Sequence, residues 1–279
     1  MTQYADDTQV LISDVKRNIP NLILRMESTL SSLAAWFHAH GLKLNTSKTE
    51  ILLLGTRQNT RGLSPISIRV GGETVRESQH VKNLGVLFDR HLSWDAHVSD
   101  VVRKSVGLLI GLRHLSRYLP RRVLLTIVQG LVISRVRYCI SVYGNGSVTN
   151  DARLLRVINF AVRVVTGLRK FDHVSHARTD LGLQTPRQMC DTQTAVVAHR
   201  ALRMGEPEDL AQPFHTYADS RGCERVTRQD NELRPPATRT AAGQRSFAYR
   251  AATLLNVMAA DVRDLNRAAF KRAARAFFS

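Results

Sequence analysis

The sequence predicts an α+β protein, with a small antiparallel sheet and one packed helix in its first third and helices in the rest. Gly71 and Gly72 separate two runs of β-forming residues. The two central residues of a tight hairpin turn need a positive φ, which glycine adopts readily, so a Gly-Gly pair predicts such a turn. Apolar residues recur at intervals of three and four between Asn21 and Gly41, which predicts a helix. From Trp94 onward the apolar period is helical.

The elements of the first third follow one another closely. Residues 8–17 predict the second strand of an N-terminal hairpin and then a loop. Asn21 is suited to cap the helix, and Gly41 is suited to end it. Residues 42–45 and 49–54 predict a strand pair joined by a turn, and residues 80–88 predict one more short strand.

The helical region begins near Trp94, and Pro120 ends its first helix. Residues 121–142 are mostly apolar and predict one buried helix. Thr149 or Asn150 is suited to cap a third helix. The core stripe predicted for that third helix consists of Leu155, Ile158, Val162 and Val165.

The last part of the chain is predicted to form a helix, a linker and a second helix. Thr185 and Pro186 have the N-cap and first-turn chemistry of a further helix, which runs to about Met204 before Gly205. Residues 206–245 are rich in proline and charge and predict a linker. Residues 246–278 predict a basic amphipathic helix, which either docks on the helical region or lies on nucleic acid. Docking is favoured because the apolar positions need burial. The predicted domains are 1–92, 93–205, 206–245 and 246–279.

The net charge of +17 is unevenly distributed. Residues 1–100 hold 11 Lys/Arg and 10 Asp/Glu, whereas residues 101–279 hold 29 and 13. A strongly basic region favours binding to a phosphate backbone. The alternative interpretation is an arginine-rich composition without a nucleic-acid partner.

The cysteines and the hydropathy of the sequence indicate the cellular compartment. Cys139, Cys190 and Cys223 form no C-x-x-C pair and no even framework, which is typical of reduced thiols in the cytosol or nucleus. No N-terminal signal follows Met1. The longest apolar stretch, residues 123–136, is too short and too polar to span a bilayer, so we expect an intracellular protein without membrane contact.

The motif with the most chemical content is Tyr4-Ala5-Asp6-Asp7, next to the apolar run Val10-Leu11-Ile12. Two adjacent carboxylates at the tip of a hairpin can both point into one site. Mg²⁺ prefers oxygen ligands of this kind, and two ions roughly 3.5–4 Å apart can clamp an in-line phosphoryl transfer. The alternative interpretation is a solvated acidic turn.

Four segments in order resemble the reverse transcriptases of non-LTR (LINE-type) retrotransposons. The first is the Y-x-D-D box at residues 4–7, and the second is the G-L-x-[LV]-N-x-x-K-T-[EK] pattern at residues 41–50. The third runs from Lys82-Asn83-Leu84-Gly85 to Asp89, Leu92-Ser93-Trp94 and His97. The fourth is Gly243-Gln244-Arg245-Ser246-Phe247-Ala248-Tyr249-Arg250. Asn83 departs from the pattern, because the family usually carries an aromatic residue there.

This resemblance implies a C-terminal fragment of an RNA-directed DNA polymerase, with half a palm sheet and a thumb-like helical domain. The family's fingers, its upstream palm and its third catalytic aspartate all precede the Y-x-D-D box. We therefore expect that this chain alone does not polymerise. The alternatives are a non-catalytic basic nucleic-acid-binding module and a transposon relic without function.

The resemblance also assigns roles to individual residues. Asp6 is implied as a metal ligand and Asp7 as its support, with Mg²⁺ or Mn²⁺ bound only if the site is completed. Tyr4 is implied to pack against the primer end, and Lys48 matches a candidate proton donor to pyrophosphate, although a plain turn lysine fits equally well. Leu84 and Gly85 resemble the primer-grip turn, although a β-bulge would also use this glycine.

A basic stripe is predicted on the third helix. Arg156, Arg163 and Lys170 recur every seven residues and are candidates for phosphate contacts, with a solvated face as the alternative. The implied partners are an RNA template and a DNA primer, with backbone contacts to residues 95–205. The sequence does not determine the oligomeric state.

Overall fold

The computed structural model describes residues 1–219 and 230–279, and Cys223 falls outside them. The chain divides into two compact units, Met1–Ala96 and His97–Ser279, here called unit 1 and unit 2. Among the described residues, every helix is too short or too polar to cross a bilayer.

Unit 1 contains three separate two-stranded antiparallel sheets among its described elements. Their strands are β1 Thr2–Tyr4 with β2 Asp7–Gln9, β3 Ser67–Val70 with β4 Glu73–Arg76, and β5 His80–Asn83 with β6 Val86–Asp89. The helices are α1 Ile19–Ala39 and the single turn α2 Arg57–Thr60, with 3₁₀ turns at Lys16–Asn18 and Thr46–Lys48. We expected one continuous sheet remnant, so the assignment of this unit to half a palm stays a prediction.

The core of unit 1 lies between α1 and the β3–β4 hairpin. Residues on β3 alternate between buried and exposed, so Ile68 and Val70 face inward. Ile23, Met26 and Leu30 of α1 pack against them, as the helical spacing predicted. The turn at Gly71 and Gly72, with φ of 57° and 88°, confirms the hairpin predicted there.

Two strand predictions in unit 1 were wrong. Residues 42–45 and 49–54 form no strand pair, because the side chain of Asn45 accepts the backbone N–H of Ser47 at 3.1 Å and starts a 3₁₀ turn instead. Ile51 makes only an isolated parallel bridge with Glu77. Residues 80–88 form two strands rather than one, because the chain reverses at Leu84 and Gly85.

Unit 2 is helical in its described part. Its longer helices are α3 Asp95–Leu115, which starts at the end of unit 1, then α4 Arg121–Val128, α7 Val148–Thr166, α9 Pro186–Met204, α12 Phe247–Val257 and α14 Arg267–Phe277. Its short helices are α5 Ser134–Arg137, α6 Ile140–Tyr143, α8 Ser175–Asp180, α10 Glu208–Ala211, α11 Ala241–Gln244 and α13 Ala260–Arg263. The helical character predicted from Trp94 onward is confirmed, and the thumb-like assignment stays a prediction.

The single helix predicted over 121–142 is broken. A π-helical segment, Gln129–Ile133, follows α4, and the chain then turns at Cys139, whose φ is 53°. The Tyr143 hydroxyl donates a hydrogen bond to the Val136 carbonyl, which stabilises this turn from inside the core. Burial raises the pKa of Tyr143, so the hydroxyl keeps its proton and remains a donor.

The predicted helix starts in unit 2 had mixed outcomes. Ser147, rather than Thr149 or Asn150, caps α7 by accepting the N–H of Asn150 at 3.2 Å. Thr185 caps α9 in a full capping box with Gln188, which confirms the start predicted there.

The linker and terminal helix also differ from the prediction. Phe214 and Leu233, inside the predicted linker 206–245, are buried against the C-terminal helices. The Asn256 side chain accepts the N–H of Leu233 at 2.9 Å and donates to its carbonyl at 2.7 Å, so this part of the segment is fixed. The helix predicted over 246–278 is three helices, and its docking is confirmed by the burial of Leu255 and Phe270.

Candidate functional site

The acidic pair lies at the tip of the β1–β2 hairpin. Tyr4 pairs with Asp7, which leaves Ala5 and Asp6 as the two turn residues. Ala5 is left-handed, with φ of 52°, and its carbonyl accepts the Gln3 side chain at 3.1 Å. The two carboxylates and the Tyr4 ring are exposed, so the predicted hairpin tip is present and open to solvent.

A second turn is joined to this hairpin by one hydrogen bond. Gln9, on β2, donates through Nε2 to Oδ1 of Asn83 at 2.7 Å, and Asn83 immediately precedes the turn at Leu84 and Gly85. The structure therefore brings together the Y-x-D-D hairpin and the turn that resembles a primer grip. The contact uses Asn83, the position at which the sequence departs from the family pattern.

The Leu84–Gly85 turn has an unusual backbone for its sequence. Both residues have positive φ, 43° and 86°, as in the two-residue turns that favour Asn-Gly. Leucine is strained there, because the left-handed region costs a side-chain-bearing residue roughly 1–2 kcal/mol. The Leu84 side chain is also 43% exposed. A strained, exposed apolar residue at a turn is a candidate contact residue.

Lys48 is not brought to the acidic pair by any contact in the described part of the chain. It lies exposed in the 3₁₀ turn after Asn45, whose carbonyl accepts the N–H of Lys48 at 3.2 Å. Thr46, in the same turn, lies near Gly71 of the β3–β4 hairpin. This environment is that of a turn lysine, and a role in proton transfer stays a prediction.

The acidic pair alone does not fit a two-ion centre. Within residues 1–219 and 230–279, no three His, Cys, Asp or Glu side chains are grouped so as to hold a metal ion. Asp6 and Asp7 are adjacent in sequence and lie on an exposed turn. Because Mg²⁺ requires near-octahedral geometry, two such carboxylates are too few to fix a pair of ions without further ligands.

The block from Asp89 to His97 has a structural role that the sequence did not reveal. The Asp89 carboxylate accepts the backbone N–H groups of His91, Ser93 and Trp94 at 2.8–3.0 Å. Leu92 and Trp94 are held at φ of 50° and 66°. Asp89 therefore organises a tight loop that ends where α3 begins.

Asp89 remains ionised despite its burial. Burial by itself would raise the pKa of this carboxyl group, but the hydrogen bonds from Ser93, Trp94 and His91 favour the charged form and hold the pKa below its ordinary value. Next along the chain, Trp94 packs edge-on against Phe88, with ring centroids 5.2 Å apart. The conspicuous D-x-x-L-S-W pattern is thus explained by folding.

The predicted basic stripe is not formed as one surface. Arg156 is exposed on α7, but Lys170 lies beyond the end of that helix, 5.3 Å from the Phe171 ring. Arg163 folds back and donates to the carbonyls of Arg169 and Asp172 at 3.1 and 3.2 Å. The seven-residue spacing would place these residues on one face if the helix continued to Lys170, but α7 ends at Thr166.

The C-terminal signature also serves the fold. Arg250 is buried and forms an ion pair with Asp191 of α9. The Arg245 carbonyl accepts the Asn145 side chain at 2.9 Å, and Ser246 caps α12. At Gly243 an added Cβ would lie 2.9 Å from the Cβ of Thr238, so this position requires glycine.

Sequence similarity links the chain to a transposon protein. No family model matches it, and no solved structure does. A curated protein of Drosophila melanogaster, described as a probable RNA-directed DNA polymerase from transposon BS, is 26% identical over 212 residues. The chain is related to a transposon reverse transcriptase. This relationship confirms the resemblance to non-LTR retrotransposon polymerases inferred from the four motifs.

The match covers most of this chain but little of its relative. It includes 73% of the chain and 22% of the Drosophila polymerase. The chain therefore corresponds to about a fifth of that protein. The polymerase activity named for the relative belongs to a much longer polypeptide.

Proposed function

We propose that the chain is a nucleic-acid-binding part of a reverse transcriptase, and that Asp6 and Asp7 supply two carboxylates of a metal centre completed by other residues. The observation that carries this proposal is the Y-x-D-D hairpin, with both carboxylates exposed at its tip, in a chain related to a transposon polymerase. Mg²⁺ or Mn²⁺ is the metal that such oxygen ligands favour. The proposed partners are an RNA template and a DNA primer.

The charge of unit 2 supports the binding part of this proposal. Residues 97–279 hold 29 Lys/Arg and 14 Asp/Glu, whereas residues 1–96 hold 11 and 9. A surface with such an excess attracts phosphates and releases their counterions on binding. Affinity for RNA or DNA is therefore expected to fall steeply as salt rises.

A primer-extension assay tests the catalytic part. With Mg²⁺, a primed RNA template and all four deoxynucleotides, the purified chain is expected to give no template-dependent product. Synthesis that disappears in Asp6→Ala would show that the two carboxylates suffice and would contradict the proposal. Adding a polypeptide with the upstream palm and fingers of a related reverse transcriptase is expected to restore synthesis only with an intact Asp6.

A second candidate function is a binding module in which the acidic box is a relic. Two exposed carboxylates without a third ligand among the described residues fit this alternative as well as the first. Under it, Asp6→Ala changes nothing, even when the upstream segments are supplied. Filter binding at two salt concentrations, with and without Mg²⁺, separates both functions from a relic without function, which would bind neither RNA nor DNA.

A further inference from the structure

Between residues 101 and 150 the chain has eight Lys/Arg and no Asp/Glu. Four of these cations lie within ten residues of the chain, where α3 ends and α4 begins: Arg113, Arg117, Arg121 and Arg122. With Tyr118 they form what is here called the α3–α4 corner. All five side chains are exposed.

The cations near the start of α3 have carboxylate partners, whereas those at the corner have none in the described part of the chain. Near its start, Asp100 pairs with Arg103 at 2.8 Å and with Lys104 at 2.6 Å. At the corner, no carboxylate of the described residues lies within ion-pair distance of the four arginines. The cations near the start of α3 are thus neutralised, whereas Arg113 in its last turn and the three arginines that follow the helix have no ion-pair partner among the described residues.

The corner also places positive charge where a helix disfavours it. Arg121 and Arg122 occupy the first turn of α4, which contains no acidic residue and has no side-chain cap at Pro120. The N-terminus of a helix already carries partial positive charge, so cations there reduce helix stability while increasing attraction for anions. This arrangement is unfavourable for folding and suited to phosphate binding.

Tyr118, which follows Arg117 and precedes Arg121 in the chain, adds a flat apolar surface to the corner. Its side chain is 76% exposed, and the Arg117 guanidinium lies 6.0 Å from the ring centroid. The turn that carries it is fixed by a hydrogen bond from the Tyr118 N–H to the Leu115 carbonyl at 2.9 Å. Proteins use an exposed aromatic ring with an arginine beside it to stack an unpaired base while holding the neighbouring phosphates.

We infer that the α3–α4 corner is a binding surface for single-stranded nucleic acid, with Tyr118 stacking on one unpaired base and the four arginines contacting the backbone around it. This inference rests on the proposed nucleic-acid binding and names the surface and the form of ligand. The surface differs from the stripe predicted at Arg156, Arg163 and Lys170. A blunt-ended RNA duplex offers the same phosphates without an unpaired base, so it serves as the control ligand.

The test compares two variants with the same loss of charge. The corner variant replaces Arg113, Arg117, Arg121 and Arg122 with Gln, and the control variant replaces four exposed cations of unit 2, Arg200, Arg267, Lys271 and Arg272, with Gln. Fluorescence anisotropy with a labelled 20-nucleotide oligo(U) at several salt concentrations gives affinity and salt slope. The corner variant is expected to bind at least about tenfold more weakly, with a salt slope smaller by roughly 3, and the control variant within about threefold of wild type.

The ring is tested separately. Tyr118→Leu is expected to weaken oligo(U) binding about tenfold and to leave binding to a blunt-ended RNA duplex unchanged, whereas Tyr118→Phe keeps wild-type affinity because stacking needs only the ring. Far-UV circular dichroism confirms that each variant is folded.

Each outcome separates this inference from the proposed function. If wild type binds and the corner and control variants lose affinity equally, the corner is not the site, although nucleic-acid binding stands. Retained affinity in Tyr118→Leu would likewise overturn the stacking role. Preferential binding of wild type to phosphatidylserine vesicles over oligo(U) would reassign the corner to a membrane surface. A wild type that binds neither would overturn the proposed function itself.

Discussion

The Arg250 guanidinium of α12 pairs with the Asp191 carboxylate of α9, and the two side chains are only 8% and 14% exposed. A second N–H of Arg250 donates to Cys190 Sγ at 3.2 Å, and Cys190 donates to the Ile140 carbonyl at 3.3 Å. Burial raises the pKa of the Cys190 thiol, so it keeps the proton that it donates. One buried polar chain therefore links α12, α9 and the turn after Cys139.

Replacement of Arg250 with Met is expected to lower the free energy of unfolding by about 3–5 kcal/mol, because it removes the buried partner of the Asp191 carboxylate and leaves only the exposed Arg187 beside it. Arg187→Met is the matched control. Arg187 pairs with the same carboxylate at 3.2 Å but is 59% exposed, so its loss should cost less than about 1 kcal/mol. Urea unfolding followed by far-UV circular dichroism measures both. Equal losses would show that burial does not distinguish the two pairs.

Asp89→Asn is expected to destabilise unit 1 by about 1.5–3 kcal/mol, because the loop loses charge-assisted hydrogen bonds to three backbone N–H groups. Both tryptophans of the chain, Trp36 and Trp94, lie in unit 1, so their fluorescence follows this unit during urea unfolding. Glu50→Gln, at an exposed position, serves as the control and should change stability by less than about 0.5 kcal/mol.

The same carboxylate predicts a pH dependence. The folded-state pKa of Asp89 lies below its ordinary value of 3.8, so the unfolded chain binds more protons than the folded one as the pH falls through this range. Asp89 contributes its full stabilisation at a pH above the pKa that it has in the unfolded chain. This stabilisation is lost as the pH falls toward and through the pKa of Asp89 in the folded protein. Between about pH 5 and pH 3, wild type should lose more stability than Asp89→Asn. Parallel pH curves for the two proteins would contradict this assignment.

Leu84→Asn is expected to stabilise unit 1 by roughly 0.5–1 kcal/mol, because asparagine tolerates the positive φ that strains leucine. If the turn contacts a primer strand, the same change should weaken binding to a primed template. Leu42→Asn, at another exposed leucine, is the control for loss of apolar surface alone. Tryptophan fluorescence during urea unfolding measures the stability of unit 1, and fluorescence anisotropy measures binding to a labelled primed template. Destabilisation by Leu84→Asn would show that the leucine side chain, and not the backbone strain, dominates at this turn.

Local signals predicted well wherever a single residue type decides the backbone. Gly71 with Gly72, and Thr185 with Pro186, specified a hairpin and a helix start because their conformational preferences need no tertiary context. The α1 stripe was equally reliable, since Ile23, Met26 and Leu30 must cover β3. These elements could be read from the sequence.

Two of the failures depend on side-chain hydrogen bonds that the apolar pattern does not show. The break at Cys139 depends on a hydrogen bond from Tyr143 to Val136, and the order of the predicted linker depends on Asn256 and the burial of Leu233. No periodicity encodes such contacts. In the candidate site, the hairpin tip could be predicted from the motif, but its link to the second turn through Gln9 and Asn83 could not.

Arg163 was predicted from its spacing to contact phosphates, but in the structure its guanidinium binds a loop. Its Nε and Nη2 donate to the carbonyls of Arg169 and Asp172, and Asp172 in turn accepts the Arg169 N–H at 2.7 Å. Arg163 therefore fixes the loop after α7. Arg163→Gln should lower the free energy of unfolding of unit 2 by about 0.5–1.5 kcal/mol, because the carbonyls of Arg169 and Asp172 lose their hydrogen bonds to the guanidinium, although both residues are exposed and water can replace part of the loss.

Arg156→Gln, on the same helix and exposed, should leave stability within about 0.5 kcal/mol of wild type. In anisotropy with oligo(U), Arg163→Gln should bind like wild type at a temperature where both are folded, because its guanidinium is occupied by the loop. Equal and substantial losses of affinity in the two variants, without a change in stability, would instead restore the predicted stripe as a phosphate-binding face.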